Sequence, residues 1–299
     1  MREAADCGNI INEVFVISEV GSMKKNLIYK ILIGVCSALS VAAAVFLYFA
    51  ETVNYDLSIQ HFEKGSPFSI GASLLIGASV VSGLAAAFLK RKDAPNALTK
   101  TSSLGMFAST VTAFMMFASF ILSIRRLAEG IPVLELVQLI LMVLSAAFFF
   151  LVFAGEKNKG GGFALLSLCP MLYAFVSLLL VYFDTAYGMN SPLKAYSLLL
   201  YISMALFWSG EARVALGRTH LFSYTFFGVL CLTFTTTLGL SGAAIALYDT
   251  VGHSFSVITA AISIAIALFA FARLWSLATA EETTDEMKEE DDRDEPDAE

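Results

Sequence analysis

Three carboxylates stand where a side chain can meet a solute. Glu51 in "LYFAETVNY" (47–55), Asp184 in "VYFDTAYG" (181–188) and Asp249 in "LYDTVGH" (247–253) each come one or two residues after an aromatic, precede Thr and close a long apolar run. A carboxylate in such a place can bind a cation or an amine, or move a proton as a general acid or base. Lys194 lies two residues past Pro192 in "SPLK", soon after Asp184, and is expected to neutralise that acid. The matching stretch after Glu51 reads "SPFS", with Ser69 where Lys194 stands. Glu51 is therefore the freer acid and the better candidate for a cation or an amine-bearing solute. Glu51, Asp184, Lys194 and Asp249 together form a candidate polar site at one end of the apolar runs.

Two further polar groups interrupt apolar sequence. Arg125 and Arg126 precede "IPVLELVQL", which carries Glu135 and Gln138. Three residues apart, Glu135 and Gln138 share one face of a helix. An acid inside a long apolar helix is costly unless it is paired or serves a function, so Arg125 or Arg126 is expected to pair with Glu135. The second group is "FWSGEARVALGRTH" (207–220), with Glu211 and Arg213. Two apart on a helix, these do not face each other and are expected to bond to neighbouring helices or headgroups.

Other chemistry is less well supplied. The three histidines, His61, His220 and His253, fall in or beside loops, and no HExxH occurs. The cysteines are Cys7, Cys36, Cys169 and Cys231, with no CxxC spacing, so neither a zinc site nor a disulfide framework is expected. No phosphate-binding glycine loop is present, which argues against nucleotide-driven pumping within this chain. No metal ligand set, cofactor or catalytic residue set is identified, and nucleic acid is not an expected partner.

The elements that must hold these residues are set by composition. The chain has 299 residues, 57% hydrophobic and only 15% charged, where a soluble domain carries about 25% charged residues. The apolar residues come in eight blocks, near 31–50, 68–89, 101–124, 131–154, 163–183, 193–212, 222–247 and 254–277. About 20 apolar residues cross the ~30 Å hydrocarbon of a bilayer. Inside lipid the backbone must satisfy its own hydrogen bonds, so these blocks are helices rather than strands. The expected fold is all-α, a polytopic bundle of eight membrane-spanning helices with the lipid bilayer as its partner. Pro170 inside the fifth block predicts a kink there. In the seventh, "TFTTTLGLSG" offers hydroxyls and small residues for close helix packing.

The formal charge of −7 is concentrated at one end: residues 281–299 hold 12 of the 26 acids. Residues 279–299 thus read as an acidic, disordered cytoplasmic tail, following a membrane domain over 23–278. With the N-terminus inside, Lys24, Lys25, Lys30, Lys90, Arg91, Lys92, Lys100, Lys157, Lys159, Arg213, Arg218 and Arg273 fall on the cytoplasmic side. Only Lys64, Arg125, Arg126 and Lys194 fall outside. That bias places both termini in the cytoplasm of a bacterial cell, and the candidate carboxylates on the outer face. Residues 1–22 read as an upstream extension or a disordered N-terminus, because "MKKNLIYKILIGV" from Met23 is a common way for a bacterial membrane protein to begin. The dipeptide Glu19-Val20 can also encode a ribosome-binding sequence just before it.

In both halves the same order recurs: aromatic–acid–Thr, a loop, Ser-Pro, then an apolar block. This is the pattern of a 4+4 parallel duplication about an axis along the membrane normal. The alternative is ordinary interface chemistry met twice, since Tyr favours the membrane boundary and Ser-Pro starts helices well. "MNSPLK", an apolar span and then "GEAR…LG" (Met189 to Gly217) resemble a group of uncharacterised multi-span bacterial membrane proteins. The resemblance implies a multi-span architecture and brings no activity with it.

Three functions fit these readings. The first is a transport-like or solute-binding membrane protein. The second is an accessory or structural subunit with a membrane or cytoplasmic protein partner. The third is a carboxylate-based membrane enzyme using Glu51, Asp184 and Asp249. The scarcity of motifs weighs against an enzyme.

Overall fold

The computed structural model describes the backbone of residues 2–56, 58–91, 102–127, 130, 132–154, 161–185, 188, 190–218, 220–248 and 257–293. Side chains are described for the same residues except 2–23, 125–127, 161, 164 and 279–293. The described chain is a helix bundle with one small hairpin. The elements are α1 (Arg2–Val53), β1 (Tyr55–Asp56), β2 (His61–Phe62), α2 (Pro67–Leu89), α3 (Ser103–Leu127), α4 (Val133–Phe153), α5 (Gly161–Leu166), α6 (Cys169–Phe183), α7 (Pro192–Ala215), α8 (Leu221–Tyr248) and α9 (Val257–Arg293).

Seven helices are long and apolar enough to cross a membrane, by length and composition. They coincide with seven of the eight apolar blocks. The fifth block departs from a single kinked helix. It is broken into α5 and α6 by a turn at Ser167 and Leu168. Pro170 is the reason: it has no N–H to return to the preceding turn, so the chain starts a new helix with Pro in its first turn. α6 alone, at 15 residues, rises about 22 Å at 1.5 Å per residue, less than the bilayer core. The short α5 completes that side of the bundle.

α1 and α9 run past their apolar spans to Arg2 and Arg293, so the backbone is helical through most of both segments expected to lack fixed structure. A helix already formed in a span extends cheaply, because each added residue needs no new nucleus.

α8 is the hub. It packs against α1, α2, α7 and α9, and seventeen of its residues are buried. Small residues let its neighbours approach: a Cβ on Gly83 of α2 would lie 2.0 Å from Cγ1 of Val229. Hydroxyls then bond across the seam. Thr233 Oγ1 lies 2.8 Å from Ser79 Oγ, and Thr237 donates to the Ser40 carbonyl at 3.2 Å. Cys36 Sγ joins the same cluster at 3.0 Å from Ser79 Oγ. The threonines of α8 thus take the packing role expected of them.

The helix neighbourhoods do not follow a 4+4 repeat. Such a repeat equates α3 with α8, yet among the described residues α3 packs mainly against α4 and α9, at the side of the bundle. The two Ser-Pro starts agree only in local chemistry. Pro67 and Pro192 both open helices. Ser66 caps α2 by accepting from the Ser69 N–H at 3.3 Å, whereas Ser191 makes no such bond and meets Tyr55 OH at 3.2 Å. The recurring phrase is helix-end chemistry met at separate places.

Candidate functional site

At one end of the bundle, helix ends from distant parts of the sequence enclose a cavity of about 130 Å³. Its lining includes Glu51 from α1, Asp184 after α6, Lys194, Ser197 and Tyr201 from α7, Ser241 and Gly242 from α8, and Thr259 from α9. Tyr201 is nine residues into α7, about 13 Å along the helix, so the cavity reaches well below the boundary. Three of the four residues expected at an outer-face polar site, Glu51, Asp184 and Lys194, are therefore brought together. Asp249 lies outside the described residues.

Each charged group is held differently. Lys194 is 4% exposed, and its Nζ donates to the main-chain carbonyl of Asp184 at 2.8 Å. This corrects the expected charge pair: the ammonium meets the Asp184 backbone rather than its carboxylate. The reason is the end of α6. Asp184 occupies its C-cap, where the helix leaves carbonyls without partners and its dipole favours a cation. Glu51 stands two residues from the end of α1 and is partly buried. Among the described residues it makes no hydrogen bond or ion pair. Ser197 and Ser241 donate to their own helix, to Leu193 O at 3.0 Å and Leu238 O at 3.4 Å. Their lone pairs remain for another donor.

The loop between α1 and α2 closes over the same end. Its hairpin pairs Tyr55 with Phe62 and Asp56 with His61. Gln60 Oε1 accepts from the Gly188 N–H, and Tyr55 meets Ser191, so the hairpin is tied to the α6–α7 loop. Ser58 bonds to Asp56 through its hydroxyl at 2.6 Å and its N–H at 2.8 Å, holding that exposed carboxyl below its ordinary range.

The other candidates fall elsewhere. Glu135 lies in the first turn of α4, where a carboxylate is favoured by the helix N-terminus. Among the described residues it has no side-chain partner. The side chains of Arg125 and Arg126 lie outside the described residues, so the expected pairing falls outside them too. Gln138 turns to α6 instead and donates to Ser177 Oγ at 2.8 Å.

Glu211 and Arg213 part company, as their spacing required. Arg213 is exposed. Glu211 is 5% exposed and receives a two-pronged bond from Arg273 of α9, Nε to Oε1 at 2.8 Å and a terminal nitrogen to Oε2 at 2.9 Å. Tyr224 OH of α8 donates to the same Oε1. This triad locks α7, α8 and α9 together at the far end from the cavity. In the sequence Arg273 reads only as one of the basic residues on the cytoplasmic side. The signal for its real role was its place inside the last apolar block, where a lone charge needs a partner.

Lys90 holds a second such position. It is 1% exposed at the C-cap of α2, donates to Asn26 Oδ1 at 2.8 Å, and sits 5.4 Å from the centre of the Tyr29 ring. No group of three or more His, Cys, Asp or Glu with metal-binding geometry occurs among the described residues.

With seven membrane-length helices, one of them the buried hub α8, the chain is a multi-span helical membrane protein. No family model, curated protein or solved structure matches it, so what it does must be argued from the cavity.

Proposed function

We propose that the protein is a multi-pass protein of a bacterial cytoplasmic membrane that binds a small polar solute from the outer face, as a transporter or solute receptor does. The observation that carries this reading is the cavity itself. It is concave, reaches between five helices, and gathers opposite charges and hydroxyls in otherwise apolar surroundings, the usual make-up of a small-molecule site. The bias of Lys and Arg supports an outward-facing cavity, with both termini cytoplasmic.

The test is ligand-dependent stability. Full-length protein in nanodiscs is melted with a panel of small amines, acids, amino acids and neutral polyols. A solute in hundredfold excess over its Kd should stabilise the wild type by about 2.7 kcal/mol. Ser241→Leu, which fills the cavity, should lose that response. No response to any solute, or an equal response in Ser241→Leu, would count against the cavity as a binding site.

A further inference from the structure

The cavity is lined by two acids, Glu51 and Asp184, and one base, Lys194; Asp184 is not without a partner, whereas Glu51 and Lys194 do not satisfy each other. Glu51 and Lys194 both line it, yet among the described residues no ion pair joins them within 4.0 Å. Lys194 has three N–H donors, and its one bond to a described residue goes to the Asp184 carbonyl. Tyr201 is 7% exposed, lines the same space, and makes no hydrogen bond among the described residues. Donors therefore gather on α7. Acceptors come to the same lining from other elements, the Glu51 carboxylate from α1, Asp184 from the end of α6 and the lone pairs of Ser241 from α8, with Ser197 on α7.

A ligand with a single charge fits this lining poorly. A simple amine answers Glu51 but sets a second cation near buried Lys194. A simple acid answers Lys194 but opposes Glu51. A neutral solute leaves both charges without a counter-charge, and an uncompensated charge in such surroundings is expensive. One molecule carrying both an ammonium and an acid group answers every side. The volume of about 130 Å³ has room for several waters and hence for a molecule of few heavy atoms.

We propose that the cavity binds a small zwitterion, its ammonium held by Glu51 and its acid group by Lys194 and Tyr201. The proposal rests on the reading of this cavity as a solute site and names the class of solute. Two sources supply that chemistry: a free amino acid, and the phosphoethanolamine headgroup of a lipid.

The experiment is calorimetric titration of the full chain, in nanodiscs free of ethanolamine lipids, with five probes: L-alanine, phosphoethanolamine, ethylamine, propionate and glycerol. At least one of the two zwitterions should bind about tenfold or more tighter than ethylamine and propionate, because each single-charge probe forfeits one charge pair. Alanine as the tighter of the two identifies a free amino acid; phosphoethanolamine identifies the headgroup. Glu51→Gln should weaken the zwitterion about tenfold and leave propionate no weaker. Lys194→Gln keeps an N–H for the Asp184 carbonyl and so preserves the fold; it should weaken the zwitterion and propionate but not ethylamine. Ethylamine or propionate binding as tightly as the zwitterions, or zwitterion affinity unchanged in Glu51→Gln, would overturn the proposal. Glycerol binding without either zwitterion would overturn it while leaving the solute site standing. Binding of none of the five, with none of the wider panel active, would remove both.

Discussion

Arg273→Met, made alone, is expected to destabilise the protein by about 3–5 kcal/mol, because it strands Glu211 as a buried charge. The geometry makes the loss large. Glu211 accepts two bonds from the planar guanidinium and one from Tyr224, and all three side chains are nearly fully enclosed. Arg273→Lys should recover only part of the loss, since an ammonium cannot supply the two parallel bonds. The triple variant Glu211→Met, Tyr224→Phe, Arg273→Met should recover most of it, because no polar group is then left without a partner. Denaturant titration of protein in detergent micelles measures all three. If the triple variant is as unstable as Arg273→Met, packing at these positions matters more than the charges.

Glu51→Gln should act in the opposite sense. Its carboxylate has no partner among the described residues and faces a cavity between helices. A polar or charged group placed there without a partner lowers stability by about 1–3 kcal/mol. The nearly isosteric amide is still a polar group without a partner, so it should raise the stability of the empty protein only by the part of that cost that belongs to the charge, while solute binding falls. Such an exchange of stability against function marks a site residue. A loss of stability in Glu51→Gln would identify Glu51 as a structural group instead. The two variants thus separate the two acids: Glu211 is built into the fold and Glu51 is set into the cavity.

Much of this was legible in the residues alone. The spans follow from the apolar blocks because a bilayer imposes both length and helical backbone. The lack of a lysine next to Glu51 is legible in Ser69, which stands where Lys194 follows the second Ser-Pro start, and the structure sets Glu51 in the lining of the cavity. What stayed hidden depended on how helices turn toward each other. Glu211 and Arg273 are 62 residues apart, and only the rotation of α7 and α9 brings them face to face. Lys194 meets the expected residue at a different atom, since the end of α6 decides whether carbonyl or carboxylate is within reach. The apparent duplication failed for a related reason. Aromatic–acid–Thr and Ser-Pro report where a helix leaves or enters the membrane, and that information is the same for helices packed in quite different places. The break at Pro170 was visible as a kink, while its full separation into α5 and α6 was not.

An outward-facing solute site requires that the cavity open to the outer face and admit solute. Ser241→Cys places a thiol on its wall, and the native cysteines serve as the background in an otherwise wild-type chain. In right-side-out vesicles, a membrane-impermeant, negatively charged thiol reagent is expected to label Ser241→Cys well above the wild type, with labelling slowed by a solute that binds. In inside-out vesicles the difference between the two proteins should vanish. Labelling of Ser241→Cys only from the inside-out side, or none above background from either side, would contradict an outward-facing solute site.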